Sequence, residues 1–226
     1  MGYTKRIRTL CSHFIKMPTF ADVGCDHGYC TQYALQNGLC ENAIFSDVSK
    51  GSLQKAEVLL QQYVQDGKAV GVLGDGFFGV PSTVDQVIIA GMGGQEIISI
   101  LKDEKYGFIP KRFILQPMHD TQKLREYLIE KGANILHDYT FFDGKFYDVI
   151  VGEYPNTKGK CSYTDIELAY GKDNIKTRND AFIKRLQKQI ENTKKYLSGT
   201  ALQEESKKAL QEKLQQLQGV LRGDLT

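Results

Sequence analysis

The chain has 226 residues, 41% hydrophobic and 25% charged, with 22 Gly and 5 Pro; against ~100–200 residues per domain this predicts one substantial domain with an appendage and excludes collagen-like, low-complexity and wholly disordered classes. The longest uninterrupted apolar stretches are about as short as Val87-Ile88-Ile89-Ala90, far below the ~18 residues that cross a bilayer, so no transmembrane helix is expected. The net charge of +2 conceals an asymmetry, with 15 basic against 18 acidic residues up to Pro155 and 14 against 9 beyond it, an acidic-to-neutral body with a basic tail.

At the N-terminus, His13 and Lys16 interrupt what would have to be the apolar segment of a signal peptide, so the protein is expected in the cytoplasm. Strand-like runs then alternate with helix-like runs, the pattern of a parallel sheet covered by helices. Strands are predicted over 20–24, 43–48, 69–73, 86–90 and 112–116. Ser49 is the N-cap of a predicted helix over 50–63 with Leu53, Ala56, Leu59 and Leu60 on one face. Asp120 or Thr121 starts another, which turns Leu124, Tyr127 and Leu128 inward and stops at Gly132. After Gly132 the rhythm changes: 134–142 and 145–154 are strand-like and separated by Asp143-Gly144, the strongest short hairpin signal. Five parallel strands thus end in an antiparallel pair, unlike the all-parallel nicotinamide-binding fold.

Beyond Gly159 strand character disappears. Over 179–197, Ile183, Leu186, Ile190, Thr193 and Leu197 recur at spacings of three and four, and 201–221 repeats the pattern with Leu210, Leu214, Leu217 and Leu221. Ser198-Gly199-Thr200 separates the two runs, with Thr200 as N-cap, which predicts an antiparallel helical hairpin. The hairpin either packs on the body or displays Lys184, Arg185, Lys188, Lys194, Lys195, Lys207 and Lys208 toward phosphates.

The most informative segment is Asp22-Val23-Gly24-Cys25-Asp26-His27-Gly28-Tyr29, directly after the first strand. A dinucleotide site needs G-x-G-x-x-G so that backbone can approach a pyrophosphate; the positions here are Gly24, Asp26 and Tyr29, and two of the three fail. An aspartate in that loop repels a pyrophosphate but suits a ligand with positive charge and an amino group. S-adenosylmethionine carries both a sulfonium and an ammonium, so Asp22 and Asp26 match it better than NAD or ATP. Asp47 closes the second strand, where a carboxylate can accept two ribose hydroxyls. Gly74-Asp75-Gly76-Phe77 follows the third: Asp75 can take an adenine amine while Phe77 offers an apolar face. Ala90-Gly91-Met92-Gly93-Gly94 follows the fourth and lets backbone approach a substrate closely. Gln116-Pro117 ends the fifth, followed by Met118 and His119.

No metal is expected, because His13, His27, His119 and His137 show no ligand spacing. The five cysteines, Cys11, Cys25, Cys30, Cys40 and Cys161, contain no C-x-x-C pair, so neither a disulfide framework nor a zinc ribbon is indicated. There is no G-x-S-x-G elbow and no Walker A loop.

With ADVGCDHGY, AIFSDVSKGSLQKA, LGDGF, IIAGMGGQEI, FILQP, LREYL and YDVIVGEY in this order, and RIRTL near the start, the chain resembles class I S-adenosylmethionine-dependent methyltransferases, and more narrowly the TrmK (YqfN-like) family of bacterial tRNA (adenine-N1)-methyltransferases. The resemblance implies an α/β Rossmann-like body over 1–158, with five parallel strands and an antiparallel hairpin, and a coiled-coil arm over 159–226 that helps hold tRNA. It implies methyl transfer to N1 of adenine 22, in the D-loop region. Carried over by position, Asp22, Gly24, Asp26, His27 and Gly28 form the methionine-side loop, Asp47 and Val48 hold the ribose, and Asp75 and Gly76 the adenine. Ala90, Gly91, Met92 and Gly93 line the floor between donor and target, and Gly91, Met92, Gln116 and Pro117 face the target base. Met118 stands where the family usually reads Asn.

Adenine N1 has an in-plane lone pair and needs no deprotonation, so no general base is assigned and positioning carries the rate. The base must be unpaired or swung out, with Phe77 or Tyr29 as stacking surfaces. The partners expected are S-adenosylmethionine and tRNA, with no membrane, and the oligomeric state stays open with a monomer slightly favoured. Two rivals stay open: a methyltransferase of the same fold acting on a small molecule or protein, and a non-catalytic RNA-binding module that retains the fold.

Overall fold

The computed structural model describes residues 2–155, 162–199 and 203–224. Seven strands, β1 (Thr19–Val23), β2 (Asn42–Asp47), β3 (Ala69–Leu73), β4 (Gln86–Met92), β5 (Arg112–Pro117), β6 (Asn134–Asp143) and β7 (Lys145–Glu153), form one sheet in the order β3-β2-β1-β4-β5-β7-β6. The first five are parallel; β7 inserts antiparallel between β5 and β6. The Asp143-Gly144 hairpin forces this reversal, so β6 again runs with the first five strands and β7 alone runs against them.

Period-two alternation divides the core between the two faces of the sheet. Phe20, Ile88 and Ile114 join one buried cluster, while Ala21, Val23, Val87, Ile89, Phe113 and Leu115 join the other. The first face is covered by α1 (Lys5–Cys11), α2 (Tyr29–Gln36) and α3 (Lys50–Leu59); the second by α5 (Gly94–Leu101) and α6 (Thr121–Glu130). Strand order reverses between β1 and β4, where open α/β sheets bind ligands beyond the carboxyl ends of the strands.

The helix expected over 50–63 is two. Ser49 caps α3 by accepting from the Ser52 amide at 3.3 Å, but Leu60 leaves helical geometry at φ −101, ψ 9 and is fully buried, and α4 (Gln61–Gln65) restarts beyond it. At α6 the start lies at Thr121, and Asp120 takes φ +54 with its carboxylate turned to His119 Nδ1 at 2.8 Å rather than to the helix amides. The N-terminal helix α1 carries no clear sequence signal; Thr4 caps it by accepting from the Ile7 amide.

The expected hairpin is present as α9 (Asp180–Leu197) and α10 (Glu204–Arg222), sealed by Phe182, Leu186, Ile190, Leu217 and Val220. Phe182 takes the buried place expected of Ile183, which is half-buried. Asn179 caps α9 through the Phe182 amide, while the predicted Thr200 cap, the expected start at Ala201, Cys161 and the 158/159 boundary lie outside the described residues. Two short helices precede the hairpin, α7 (Asp165–Tyr170) and α8 (Lys172–Thr177). They cover the β6 edge: the Asp138 and Thr140 amides, which a further strand would have paired, donate to Asp173 Oδ2 and Asn174 Oδ1 of α8, each at 2.9 Å. Beneath them Arg125, fully buried, donates through Nε to both Asp138 oxygens at 3.0 and 2.8 Å and through Nη1 to the Leu168 carbonyl at 3.0 Å.

Candidate functional site

A cavity of about 320 Å³ opens beyond the carboxyl ends of β1 to β4, within the size range of small-molecule clefts. Gly24 begins the loop after β1 at φ +73, and its amide and that of Cys25 both donate to the Ser46 carbonyl on β2 at 2.9 Å. A Cβ on Gly24 would stand 2.2 Å from the flexible Met92 methyl and would have to move it, and the φ of +73 is one that L side chains rarely adopt.

Asp47 organises the second wall. Its Oδ2 accepts the Asp26 amide at 3.0 Å and its Oδ1 the Ser49 amide at 2.8 Å, which ties the β1 loop to the start of α3. The Gly74 amide in turn donates to the Asp47 carbonyl at 3.1 Å, bringing the β3 loop with Asp75 and Gly76 alongside. Val48, 69% exposed, and Ile100 of α5 supply apolar surface in the same cavity.

At the β4 end, Ala90 pairs Gln116 and Met92 pairs Pro117, leaving Gly91 as the extra residue of a bulge. Gly91 has φ +88, and a Cβ there would stand 3.0 Å from Arg6 Nη2. Arg6, from α1, is thereby admitted to the cavity, and its Nε donates to Gln116 Oε1 at 2.8 Å. Glu96 of α5 also lines the cavity and accepts from the Gly93 amide at 3.3 Å.

Of the residues expected from sequence, the structure brings Gly24, Asp26, Asp47, Val48, Asp75, Gly76, Ala90, Gly91 and Met92 to this one cavity. Others stand behind its walls. Asp22 is buried and accepts the Thr31 amide and hydroxyl at 3.2 and 2.9 Å, fastening β1 to the first turn of α2; burial pushes its carboxyl up to about 6, against the opposing effect of those hydrogen bonds. His27 turns to Asp26 at 2.8 Å and stacks on Tyr29. Gly28 packs on Ala56 of α3, and Gly93 lies against the His119 ring. Gln116 is fully buried and reaches the cavity only through Arg6, while Pro117 completes the strand beside Met92.

The aromatic surfaces differ from expectation. Phe77 is 2% exposed and stacked on Phe108 at 4.2 Å, a core residue packed in the second cluster rather than a face offered to a base. Tyr29 points to the α1–α2 side, near Tyr3. Arg6, Glu96 and Ile100 join the cavity without having been expected from sequence; the signal for Arg6 was its place in RIRTL.

A second, larger groove of about 1130 Å³ runs between the β6–β7 hairpin and α9. Phe142 and Phe146 pair across the hairpin tip at 5.1 Å, Phe142 being 43% exposed, and Lys5, Lys184 and Lys188 line the groove. Lys5 and Arg6 are adjacent on α1, so the groove and the small cavity meet at one helical turn.

The donor set of the small cavity fits S-adenosylmethionine: carboxylates for hydroxyls, an amine and positive charge, an apolar flank, and two places where a Cβ would intrude. Among the described residues no group of three or more His, Cys, Asp or Glu could hold a metal, and no helix is long and apolar enough to cross a membrane.

The chain is 28% identical over 219 residues to a tRNA (adenine(22)-N(1))-methyltransferase of Bacillus subtilis, covering 92% of this chain and 91% of the relative. The crystal structure of the B. subtilis m1A22 tRNA methyltransferase TrmK superposes with a TM-score of 0.82 at 25% identity, over 97% of this chain and 99% of that one. Streptococcus pneumoniae Sp1610, solved in complex with S-adenosyl-L-methionine, superposes with a TM-score of 0.84 at 26% identity, over 97% and 100%. The Rossmann-like fold is common to these structures, and the profile of the TrmK family, tRNA (adenine(22)-N(1))-methyltransferase, matches residues 20–219: the chain belongs to that family.

Proposed function

We propose that the cavity beyond β1 to β4 binds S-adenosylmethionine and that this chain methylates N1 of an adenine, position 22 of tRNA, at the Gly91 and Met92 end. One observation carries the reading: the Asp47 carboxylate, held by two backbone amides, faces the same cavity as Asp75 and the Gly91 bulge. When bound, S-adenosylmethionine supplies an electrophilic methyl group on a sulfonium.

The residues of the chain bind and orient. Asp47 keeps lone pairs beyond those its amide partners use, and these accept ribose hydroxyls. Asp75 accepts from the adenine amine, with Ile100 and Val48 flanking the ring. Asp26 and Glu96 keep the cavity anionic against a cationic donor. The glycine bulge exposes backbone to the target base beside Met92, and adenine N1 attacks with its own lone pair, so no side chain has to take its proton before transfer.

The groove is assigned to tRNA. Lys5, Lys184 and Lys188 meet phosphates, and the Phe142–Phe146 pair offers a face to an unstacked base, as single-stranded RNA sites do. The test is to incubate the purified protein with labelled S-adenosylmethionine and unmodified bacterial tRNA, digest to nucleosides and identify products by mass spectrometry. 1-Methyladenosine, with a reverse-transcription stop at position 22, is the expected result. Intact S-adenosylmethionine binding with no methylated tRNA would sink the substrate assignment and favour a small molecule or protein.

A further inference from the structure

His119 follows the end of β5 and is built against the loop after β4 that closes the cavity at Met92. Two backbone bonds set it there: the Met118 amide donates to the Met92 carbonyl at 2.8 Å, and the Gly94 amide donates to the His119 carbonyl at 2.9 Å. Its ring lies over Gly93, where a Cβ would stand 2.5 Å from Cε1 and 2.9 Å from Nε2. The other ring nitrogen, Nδ1, is 2.8 Å from Asp120 Oδ2, and Asp120 Oδ1 is 3.3 Å from Lys123 Nζ. Asp120 holds a φ of +54, an uncommon conformation for a residue with a side chain. A carboxylate only accepts, so in the neutral ring Nδ1 carries the proton and Nε2 the lone pair. The described residues give Nε2 no partner, and the side chain is 70% exposed. His27 makes the same bond to Asp26, but its ring is taken up by stacking on Tyr29.

Methyl transfer to adenine N1 moves positive charge onto the base. The N1 lone pair forms the new N–C bond, the C–S pair returns to sulfur, and the charge of the sulfonium passes to the purine, where the exocyclic amine shares it. The N–H of that amine becomes a stronger donor as the bond forms, so an acceptor aimed at it binds the transition state better than the ground state. We propose that His119 Nε2 is this acceptor, with Asp120 as a positioning residue that fixes the tautomer and Gly93 leaving the ring its place beside Met92; this rests on reading the Gly91 and Met92 end as the place of methyl transfer. No proton has to leave, and the imidazole stays neutral through the step. The same lone pair selects the base, because guanine presents an oxygen where adenine presents the amine.

The test crosses enzyme variants with substrate variants. Transfer RNA with adenosine at position 22, or with purine riboside, which lacks only the amine, is methylated under single turnover by the wild type, His119→Ala, His119→Gln and Asp120→Asn. On adenosine, His119→Ala should lose about 10- to 100-fold in rate, the range of a hydrogen bond to a group gaining charge, with tRNA affinity unchanged. On purine riboside it should match the wild type, since no amine is there to donate. His119→Gln, whose carbonyl oxygen can stand near the place of Nε2, should recover part of the loss. Asp120→Asn, which tolerates the same φ, should show part of it, again on adenosine alone. Where His119→Ala fails to fold or purine riboside reacts too slowly to time, the adenosine rates of His119→Gln and His119→Leu decide, the first exceeding the second. Equal losses on the two substrates, equal rates for those last two variants, or no loss on adenosine overturns the proposal and leaves the dyad a brace for the β4 loop. No methylation of the adenosine substrate by the wild type would instead overturn the reading of the cavity itself.

Discussion

Arg185 of α9 donates through Nη1 to Oδ1 of Asp148, a buried carboxylate on β7, at 2.5 Å, and so fastens the helical arm to the sheet. Asp148 also accepts from the Thr140 and Thr121 hydroxyls at 2.6 and 3.0 Å. Burial works against its charge, but Arg185 and Arg125 together with these hydrogen bonds outweigh burial and hold its carboxyl below the usual range. The arm is therefore not a free appendage: its basic N-terminal half is oriented over the groove by a contact to the body of the sheet.

Replacing Arg185 by Met leaves that carboxylate without its nearest cation. Breaking a fully buried pair costs about 3–5 kcal/mol; with the Arg185 side chain 34% exposed, solvent screening lowers the expectation to about 1–3 kcal/mol. Because the folded carboxyl titrates below its unfolded value, its stabilisation is present above roughly pH 4 and lost as pH falls through the folded pKa. Urea unfolding should show Arg185→Met weaker than wild type at pH 7 and converging with it below pH 4. A gap that persists in acid would assign the loss to packing of the arginine stem.

Asp22 has the opposite sign. Its carboxyl is raised to about 6 by burial, so its contribution to stability is present below the unfolded value of about 3.9 and lost as pH rises through 6. Over roughly two pH units this amounts to about 3 kcal/mol at 1.36 per unit. Asp22→Asn keeps an oxygen for the Thr31 amide and hydroxyl while removing the buried charge. It should match the wild type near pH 4 and exceed it by about 1–3 kcal/mol at pH 7, and chemical denaturation at the two pH values decides. A constant difference across that range would mean that Asp22 does not titrate within it.

On the proposed reading Asp47→Ala removes two ribose contacts, and it releases the Asp26 and Ser49 amides together. At about 1.5–3 kcal/mol for each hydrogen bond to a charged group, with partial compensation by water, binding of S-adenosylmethionine should weaken by about 2–5 kcal/mol. Calorimetric titration reads this directly, and unchanged affinity would remove Asp47 from the site.

Much of this was legible in the sequence because strand ends in an open α/β sheet carry their own signals. Asp47, Asp75 and Gly91 could be placed from the strands alone, since each lies at a carboxyl end and the parallel order brings those ends together. What sequence could not show was which side of the loop each residue faces. Asp22 and Asp26 read alike, yet one is folded back onto Thr31 and the other tied beside Asp47. Phe77 and Phe78 are adjacent residues of one type, yet Phe77 lies in the core while Phe78 stays 45% exposed. Arg6 precedes the sheet and is delivered by packing of α1 against the hairpin, a contact 137 residues distant in the chain. Local pattern carries no trace of such a pairing. The short helices α7 and α8 were invisible for a similar reason: they form over the β6 edge, held by Asp173, Asn174 and the Arg125–Asp138 pair and by Ile166, Tyr170 and Ile175 packed on the core of the arm, contacts remote in the chain.

Lys184 and Lys188 stand one turn apart on α9 and line the groove that Lys5 joins to the small cavity. If phosphates lie there, the double substitution Lys184→Glu, Lys188→Glu removes two cationic partners and adds two repulsive ones. The affinity for tRNA should fall steeply, and the slope of log affinity against log salt should flatten by about 0.7–0.9 for each phosphate that is no longer neutralised. The affinity for S-adenosylhomocysteine should not move, because neither lysine lines the small cavity. Phe142→Ala tests the other half of the groove: loss of a stacked base costs about 1–3 kcal/mol without altering the salt slope. Fluorescence titration of tRNA across a salt series separates the two effects. An unchanged slope in the lysine variant, with unchanged affinity, would move the tRNA path off this face and leave the arm a structural cover for β6 and β7.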